Sequence, residues 1–295
     1  MRLLKGKPEV VVITGASAGV GRATVRAFAR RGAHLGLLAR GREGLAGARE
    51  EVETAGGRAL VLPTDVSDPN QVEAAADAVE RAMGPIDVWV NNAMVSVFAP
   101  AKRMTAEEVR QVTEVNYLGT VYGTLAALRR MLPRDHGSIV QVGSALAYRG
   151  LPLQSAYSAS KHAIQGFSES LRAELLHDGS KVHVTVVHLP AVNTPQFSWV
   201  KARITRRPRP VPPVYDPAVA AEAIVWAAHH RRRELLVGTP LVQAVAASKL
   251  LPGLVERFLA EKGYEMQQSD VPLEPNRRDN LWSPVEGDRG AHGPF

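Results

Sequence analysis

Tyr157 and Lys161 stand four residues apart in Tyr157-Ser-Ala-Ser-Lys161, a spacing that brings both to one face of a helix. A phenol ordinarily loses its proton near pH ~10. A lysine cation held beside it favours the phenolate, and the pair can then act as a general acid–base near neutrality. Ser144 lies thirteen residues before Tyr157, just past the run Ser138-Ile-Val-Gln-Val-Gly143. Asn116 falls inside an otherwise helical stretch, where asparagine is a poor interior residue. It can tie down a local backbone distortion or hold a water, and the sequence by itself favours the first.

A second kind of chemistry is written into Thr14-Gly15-Ala-Ser17-Ala-Gly19-Val20-Gly21. An unbroken apolar run, Val10–Ile13, precedes it, and Val20, Ala23, Ala27 and Phe28 follow at helical spacing. Glycines between a buried strand and a helix allow a tight turn and the close approach of a phosphate, with the amides of the helix start facing the anion. The GxxxGxG spacing differs from the GxGxxG dinucleotide fingerprint, and an ordinary turn would also use glycine. Past the second apolar run stands Ala39-Arg40-Gly41-Arg42. A carboxylate there would take a ribose hydroxyl pair and favour NAD. A guanidinium suits a 2′-phosphate instead, so Arg40, supported by Arg42, points to NADP. Thr64-Asp65-Val66 ends the third run. Asp65 there either accepts from an adenine amino group beside Val66 or shapes a turn with Ser67, the two being evenly balanced. Asn91-Asn92-Ala93 ends the fourth, and paired amides alone favour a turn.

The elements that must position these residues alternate regularly. The patterns predict strands at 9–14, 33–39, 59–63, 86–90, 138–142, 182–188 and 234–237. They predict helices at 19–31, 42–55, 69–83, 105–131, 155–177 and 216–229. Such alternation means an α/β fold, a doubly wound parallel sheet of Rossmann type in three αβα layers, with ligands beyond the carboxyl ends of the strands. The 295 residues contain no cysteine, which excludes disulfides and thiolate nucleophiles and fits a reducing, cytoplasmic setting. The net charge of +7 suggests anionic partners. No basic stripe interleaves with stacking aromatics, which argues against nucleic acid. The histidines show no metal-ligand spacing, and the N-terminal residues show no signal-peptide pattern.

Taken jointly, Thr14–Gly21, Asn91-Asn92-Ala93, Asn116, Ser144 and Tyr157–Lys161 resemble the short-chain dehydrogenases/reductases in order and spacing, over roughly residues 8–240. The resemblance implies a seven-stranded parallel sheet and a catalytic set of Asn116, Ser144, Tyr157 and Lys161. Tyr157 would exchange a proton with the substrate oxygen. Lys161 would lower the tyrosine pKa and bind the nicotinamide ribose, Ser144 would polarise the carbonyl, and Asn116 would hold a relay water. Cofactor contacts would come from Gly15, Ser17, Gly19, Val20, Gly21, Arg40, Asp65, Val66, Asn92, Ala93, Pro190, Val192 and Thr194, besides Tyr157 and Lys161. Two departures stand out. Met94 replaces the glycine of Asn-Asn-Ala-Gly, and Pro190-Ala-Val-Asn-Thr194 has alanine for glycine and is one residue short.

The implied activity is an NADP(H)-dependent exchange of hydride between a carbonyl and an alcohol. The competing reading is a cofactor-binding regulator or scaffold that turns nothing over. The segment 193–215, with four arginines and five prolines, is expected to be a substrate loop or lid. Val95, Val97, Phe98, Leu146, Tyr148, Phe197 and Trp199 are expected to wall an apolar pocket for a lipophilic or aromatic small molecule. Arg203, Arg206, Arg207 and Arg209 read first as solvated loop charge. The apolar stretch from 235 on, broken by Pro240, Lys249 and Pro252, reads as a helix on the body, at an interface or on a membrane surface rather than a membrane span. The resemblance also implies a homodimer or homotetramer through helices 105–131 and 155–177. One domain is expected over 1–265, with 266–295 an extended or disordered tail, free or wrapped over a neighbour.

Overall fold

The computed structural model describes residues 7–295. Seven strands form one all-parallel sheet: β1 Val10–Thr14, β2 His34–Ala39, β3 Arg58–Pro63, β4 Val88–Asn91, β5 Ser138–Ser144, β6 His183–Leu189 and β7 Glu234–Leu236. Their spatial order is β3-β2-β1-β4-β5-β6-β7, with Ile13 of β1 opposite Leu37 of β2 and Val90 of β4. The strands read as continuous apolar runs because both faces are covered. In β1, Val11 and Ile13 join a core with Phe28, Leu37 and Ile224. The alternate residues Val10 and Val12 join a second core with Val79, Trp89 and Ile139 on the opposite face. Strand order reverses between β1 and β4, and that switch point opens a crevice at the strands' carboxyl ends.

The helices are α1 Gly19–Ala29, α2 Arg42–Thr54, α3 Pro69–Met83, α4 Ala106–Thr113, α5 Gly119–Met131, α6 Ser155–His177 and α7 Pro217–His229. Asp68 caps α3 by accepting from the Asn70 and Gln71 amides. Thr105 and Glu108 make a reciprocal capping box at α4. The expected continuous helix 105–131 is instead two helices joined by a π-turn at Glu114–Leu118. Asn116 lies in that turn, fully buried, with its side chain hydrogen-bonded to Val95 and Ser160. Two more helices, α8 Thr239–Leu250 and α9 Pro252–Lys262, follow β7. The break at Pro252 falls where the sequence interrupts its apolar run. Among the described residues no helix is long and apolar enough to cross a membrane.

The 193–215 loop is pinned rather than loose. Lys201–Ala202 pairs with Val97–Phe98, Val214–Tyr215 with Ala191–Val192, and Arg206–Pro208 with Gln268–Pro272 from beyond α9. Three of its arginines are partly exposed and ion-paired as well, Arg203 to the buried Glu108, Arg206 to Glu265 and Arg207 to Glu274. Past residue 272 the chain is extended and lies over its own body. Leu281 and Ala291 are buried, and Arg22 of α1 pairs with Asp288.

Candidate active site

The glycine loop is built as the sequence requires. Gly15 has a φ of +68°, and a Cβ on Gly21 would stand 2.1 Å from the Gly15 carbonyl oxygen, so a side chain at either position is excluded. Asn92 braces the loop from β4: its Nδ2 donates to the carbonyls of Thr14 at 2.9 Å and Gly15 at 3.4 Å. Thr14 Oγ1 accepts from the Asn92 and Ala93 amides. Asn91 points the other way, into a buried network with Trp89, Thr124 and Gln141. The loop and the first turn of α1, Gly15 to Gly21, line a cavity of about 1100 Å³ at the switch point. The Gly19 amide at the start of α1 donates to the Gly290 carbonyl at 3.0 Å, and a phosphate would meet the rest of the loop backbone at the positive end of α1, which fits a dinucleotide.

At the edge of this cavity beside β2 and β3 lie Arg40, Arg42, Asp65 and Val66. Arg40 is half-buried under the C-terminal segment. Its guanidinium donates to the carbonyls of Asn280 at 2.5 Å, Trp282 at 3.0 Å and Leu281 at 3.3 Å. Burial pushes it below its ordinary pKa against the pull of Asp65, and as an arginine it stays cationic. Asp65 Oδ1 accepts from the amide and hydroxyl of Ser67, so the aspartate shapes the turn while it lines the cavity. Cavity walls further along come from Pro190, Val192 and Thr194 after β6, and from Met94, the departure after Asn92-Ala93.

Ser144 ends β5, while Tyr157 and Lys161 lie in the first two turns of α6, and all three line the same cavity. The Lys161 ammonium is buried, donates to the Val142 carbonyl at 2.7 Å and stands 5.5 Å from the Tyr157 ring centroid. Burial lowers its pKa to about 8. Burial also pushes Tyr157 up to about 12, with the Ser144 hydroxyl pulling the other way. The expected lowering of the tyrosine by the lysine is therefore not what governs this ligand-free geometry: the cation sits over the ring and on a carbonyl, and desolvation dominates. Asn116 lies behind the set. Its Oδ1 accepts from the Val95 amide at 2.8 Å, and its Nδ2 donates to the Val95 carbonyl at 3.0 Å and to Ser160 Oγ at 3.1 Å. The side chain anchors the segment after β4 and does not itself line the cavity.

Val95, Leu146, Tyr148, Phe197 and Trp199 line the cavity. Phe98 and Val97 do not. Both are buried, because pairing with Lys201–Ala202 turns them inward, and Phe98 packs edge-on behind Phe197 with centroids 6.1 Å apart. The sequence reading missed two contributions. Leu241, Ala244 and Val245 of α8, with Val255, Phe258 and Leu259 of α9, supply further apolar wall. Their helical spacing was visible, but their destination was not. His188 of β6, fully buried, faces the Ser144 carbonyl with Nδ1 at 3.1 Å and packs at a tilt against Tyr148, ring centroids 4.7 Å apart. Tyr148 in turn donates to Glu234. A lone histidine in an apolar strand carried no signal of this.

Comparison with known proteins agrees with this arrangement. A family model described as short chain dehydrogenase matches residues 9–203. Relatives include "Uncharacterized oxidoreductase YxnA" of Bacillus subtilis (strain 168), 33% identical over 99% of this chain and 83% of its own. "Dehydrogenase/reductase SDR family member 7B" of Bos taurus is 32% identical over 88% of this chain and 83% of its own. "Fatty acyl-CoA reductase" of Acinetobacter baylyi (strain ATCC 33305 / BD413 / ADP1) is 31% identical over 90% of this chain and 87% of its own.

Proposed function

Since the chain belongs to the short-chain dehydrogenase/reductase family of oxidoreductases, which bind a nicotinamide dinucleotide, we propose that it is an NADP(H)-dependent enzyme interconverting a carbonyl and an alcohol on a lipophilic small molecule. The observation that carries this is one continuous cavity lined by the glycine loop, Arg40, Ser144, Tyr157 and Lys161. The hydride is supplied or accepted by the nicotinamide when it is bound.

Tyr157 gives its hydroxyl proton to the substrate oxygen in reduction and takes it back in oxidation. Ser144, fixed at the end of β5, holds that oxygen by hydrogen bonding. Lys161 keeps a positive charge beside the phenol, which stabilises the phenolate left after transfer. Arg40 reads a 2′-phosphate by exchanging the strap carbonyls that hold its guanidinium for phosphate oxygens. Apolar side chains from 146, 197, 199 and the α8–α9 pair exclude water around the reacting carbon and favour a lipophilic substrate. The name of the Acinetobacter relative points the same way.

Titration of the protein with NADPH and NADH, followed by nicotinamide fluorescence, tests the reading together with Arg40→Ala. NADPH should bind at least tenfold more tightly than NADH, and the substitution should remove the difference. Equal affinity for both would overturn the NADP assignment, and binding of neither would overturn the oxidoreductase reading for this chain.

A further inference from the structure

The last sixteen residues run along the full length of the cofactor cleft, touching it at both ends and in the middle. At the adenosine end, the carbonyls of Asn280, Leu281 and Trp282 hold the Arg40 guanidinium. In the middle, the Gly290 carbonyl accepts from the Gly19 amide at 3.0 Å, at the first residue of α1. Asp288 there pairs with Arg22, whose side chain is 2% exposed. At the far end the Gly293 amide donates to the Asn193 carbonyl at 3.1 Å, next to Thr194. A cavity remains beneath the segment, which closes it from above: Asn280, Pro284, Val285, Glu286, Gly287 and Arg289 form that side of the lining.

Arg289 is the distinctive member. It lines the cavity one residue from the Gly290–Gly19 contact. The carboxylates beside it are engaged elsewhere, Asp288 with Arg22 and Glu286 with Arg278. Among the described residues no hydrogen bond or ion pair is formed by the Arg289 side chain. Arg289 is exposed at the rim of the cavity with its neighbouring acids occupied, and a guanidinium so placed can meet an anion within it.

We propose that the C-terminal strap, residues 280–293, is a wall of the dinucleotide site, and that Arg289 is its contact to the phosphates shared by NAD and NADP. The inference rests on the dinucleotide occupying the cavity and not on the choice of NADP. Binding of NADPH and of NADH is measured on the full-length protein, on Arg289→Gln and on Arg289→Lys. Arg289→Gln should weaken both cofactors by the same factor, about tenfold at low salt, with the loss shrinking as salt is added. Arg289→Lys should recover most of it, and the thermal midpoint without cofactor should not move in either variant.

Unchanged affinity in Arg289→Gln would reduce Arg289 to a solvent charge and overturn the proposal. Tighter binding would make the strap a competitor for the seat, and a loss confined to NADPH would make Arg289 a 2′-phosphate reader. Both outcomes reject the assignment. If the wild-type protein binds neither cofactor, it is the functional reading that fails.

A lock tests the wall independently. The chain has no cysteine, and a Cβ at position 47 would stand 2.8 Å from Asp288 Cγ, within reach of a disulfide. In Gly47→Cys/Asp288→Cys, oxidation should slow cofactor association at least tenfold, and dithiothreitol should restore it. Association at the same rate in both redox states would show that the strap does not wall the site.

Discussion

Burial sets the protonation of the Tyr157–Lys161 pair before any ligand arrives, raising the phenol to about 12 and lowering the ammonium to about 8. Replacing Tyr157 by Phe removes the transferred proton and little else. Turnover should fall by roughly 10²- to 10⁴-fold, with NADPH affinity within about twofold of wild type in a fluorescence titration. The lysine makes a stability prediction as well. Its folded value of about 8 lies below the ordinary 10.5, so between those limits the unfolded chain binds more protons, and stability from this group rises with pH. Urea denaturation of wild type and Lys161→Met should show the wild type gaining on the variant from pH 8 upward. A difference that is flat in pH would mean that Lys161 is not buried as a cation. The pair's identity was legible from four-residue spacing; its desolvation was not, because burial depends on α6 packing against β5.

At the scale of elements, the π-turn at Glu114–Leu118 shows a local irregularity serving the site. Sequence pointed to a distortion at Asn116 from the residue type alone. What the distortion holds came from outside the helix: both backbone polar groups of Val95, a cavity residue. Asn116→Ala strands two buried backbone groups, and each costs about 1–3 kcal/mol when left unpaired. Urea unfolding should report a loss of about 2–6 kcal/mol, and the KM for a carbonyl substrate should rise as the Val95 wall loosens. The α8–α9 pair makes a second case. Phe258→Asp puts a charge into the apolar wall without touching the glycine loop. It should raise KM for a lipophilic substrate at least tenfold in steady-state assays while cofactor affinity stays unchanged.

For the whole molecule, the governing contacts join residues far apart in the chain. Arg22 is tied to Asp288 and Glu51, His292 to Asp216, and Arg203 to Glu108. Asp288→Asn should loosen the strap locally, because Arg22 keeps Glu51 and the Ser17 and Gly44 carbonyls. Trypsin should then cut after Arg289 several-fold faster than in wild type, with the thermal midpoint shifted by no more than a few degrees. Equal cleavage rates would mean that the ion pair does not hold the segment. The acid side has its own signature. Burial raises Glu51, but its hydrogen bonds to Arg26 and Arg22 outweigh this and leave it below the ordinary 4.5. Stability from that carboxylate is present at neutral pH and lost as pH falls through the acidic range below that value, a loss that Glu51→Gln should flatten in acid denaturation.

The sequence by itself determined the strand–helix alternation, the glycine turn and the residues able to do proton chemistry. Each of these is a local property: apolar periodicity, backbone freedom or side-chain type at fixed spacing. Only the tertiary structure decided that Phe98 faces inward, that His188 stands behind Ser144, that α8 and α9 wall the cavity, and that Arg40 is held by the C-terminal strap. Those facts depend on which surfaces meet across hundreds of residues, and no local pattern at 188, 258 or 289 encodes its partner. The tail, polar and rich in turn residues, reads as extended. Past residue 272 its contacts are with distant parts of the chain: Arg40 holds 280–282, Arg22 pairs with Asp288, the Gly19 amide donates to the Gly290 carbonyl, and His292 meets Asp216.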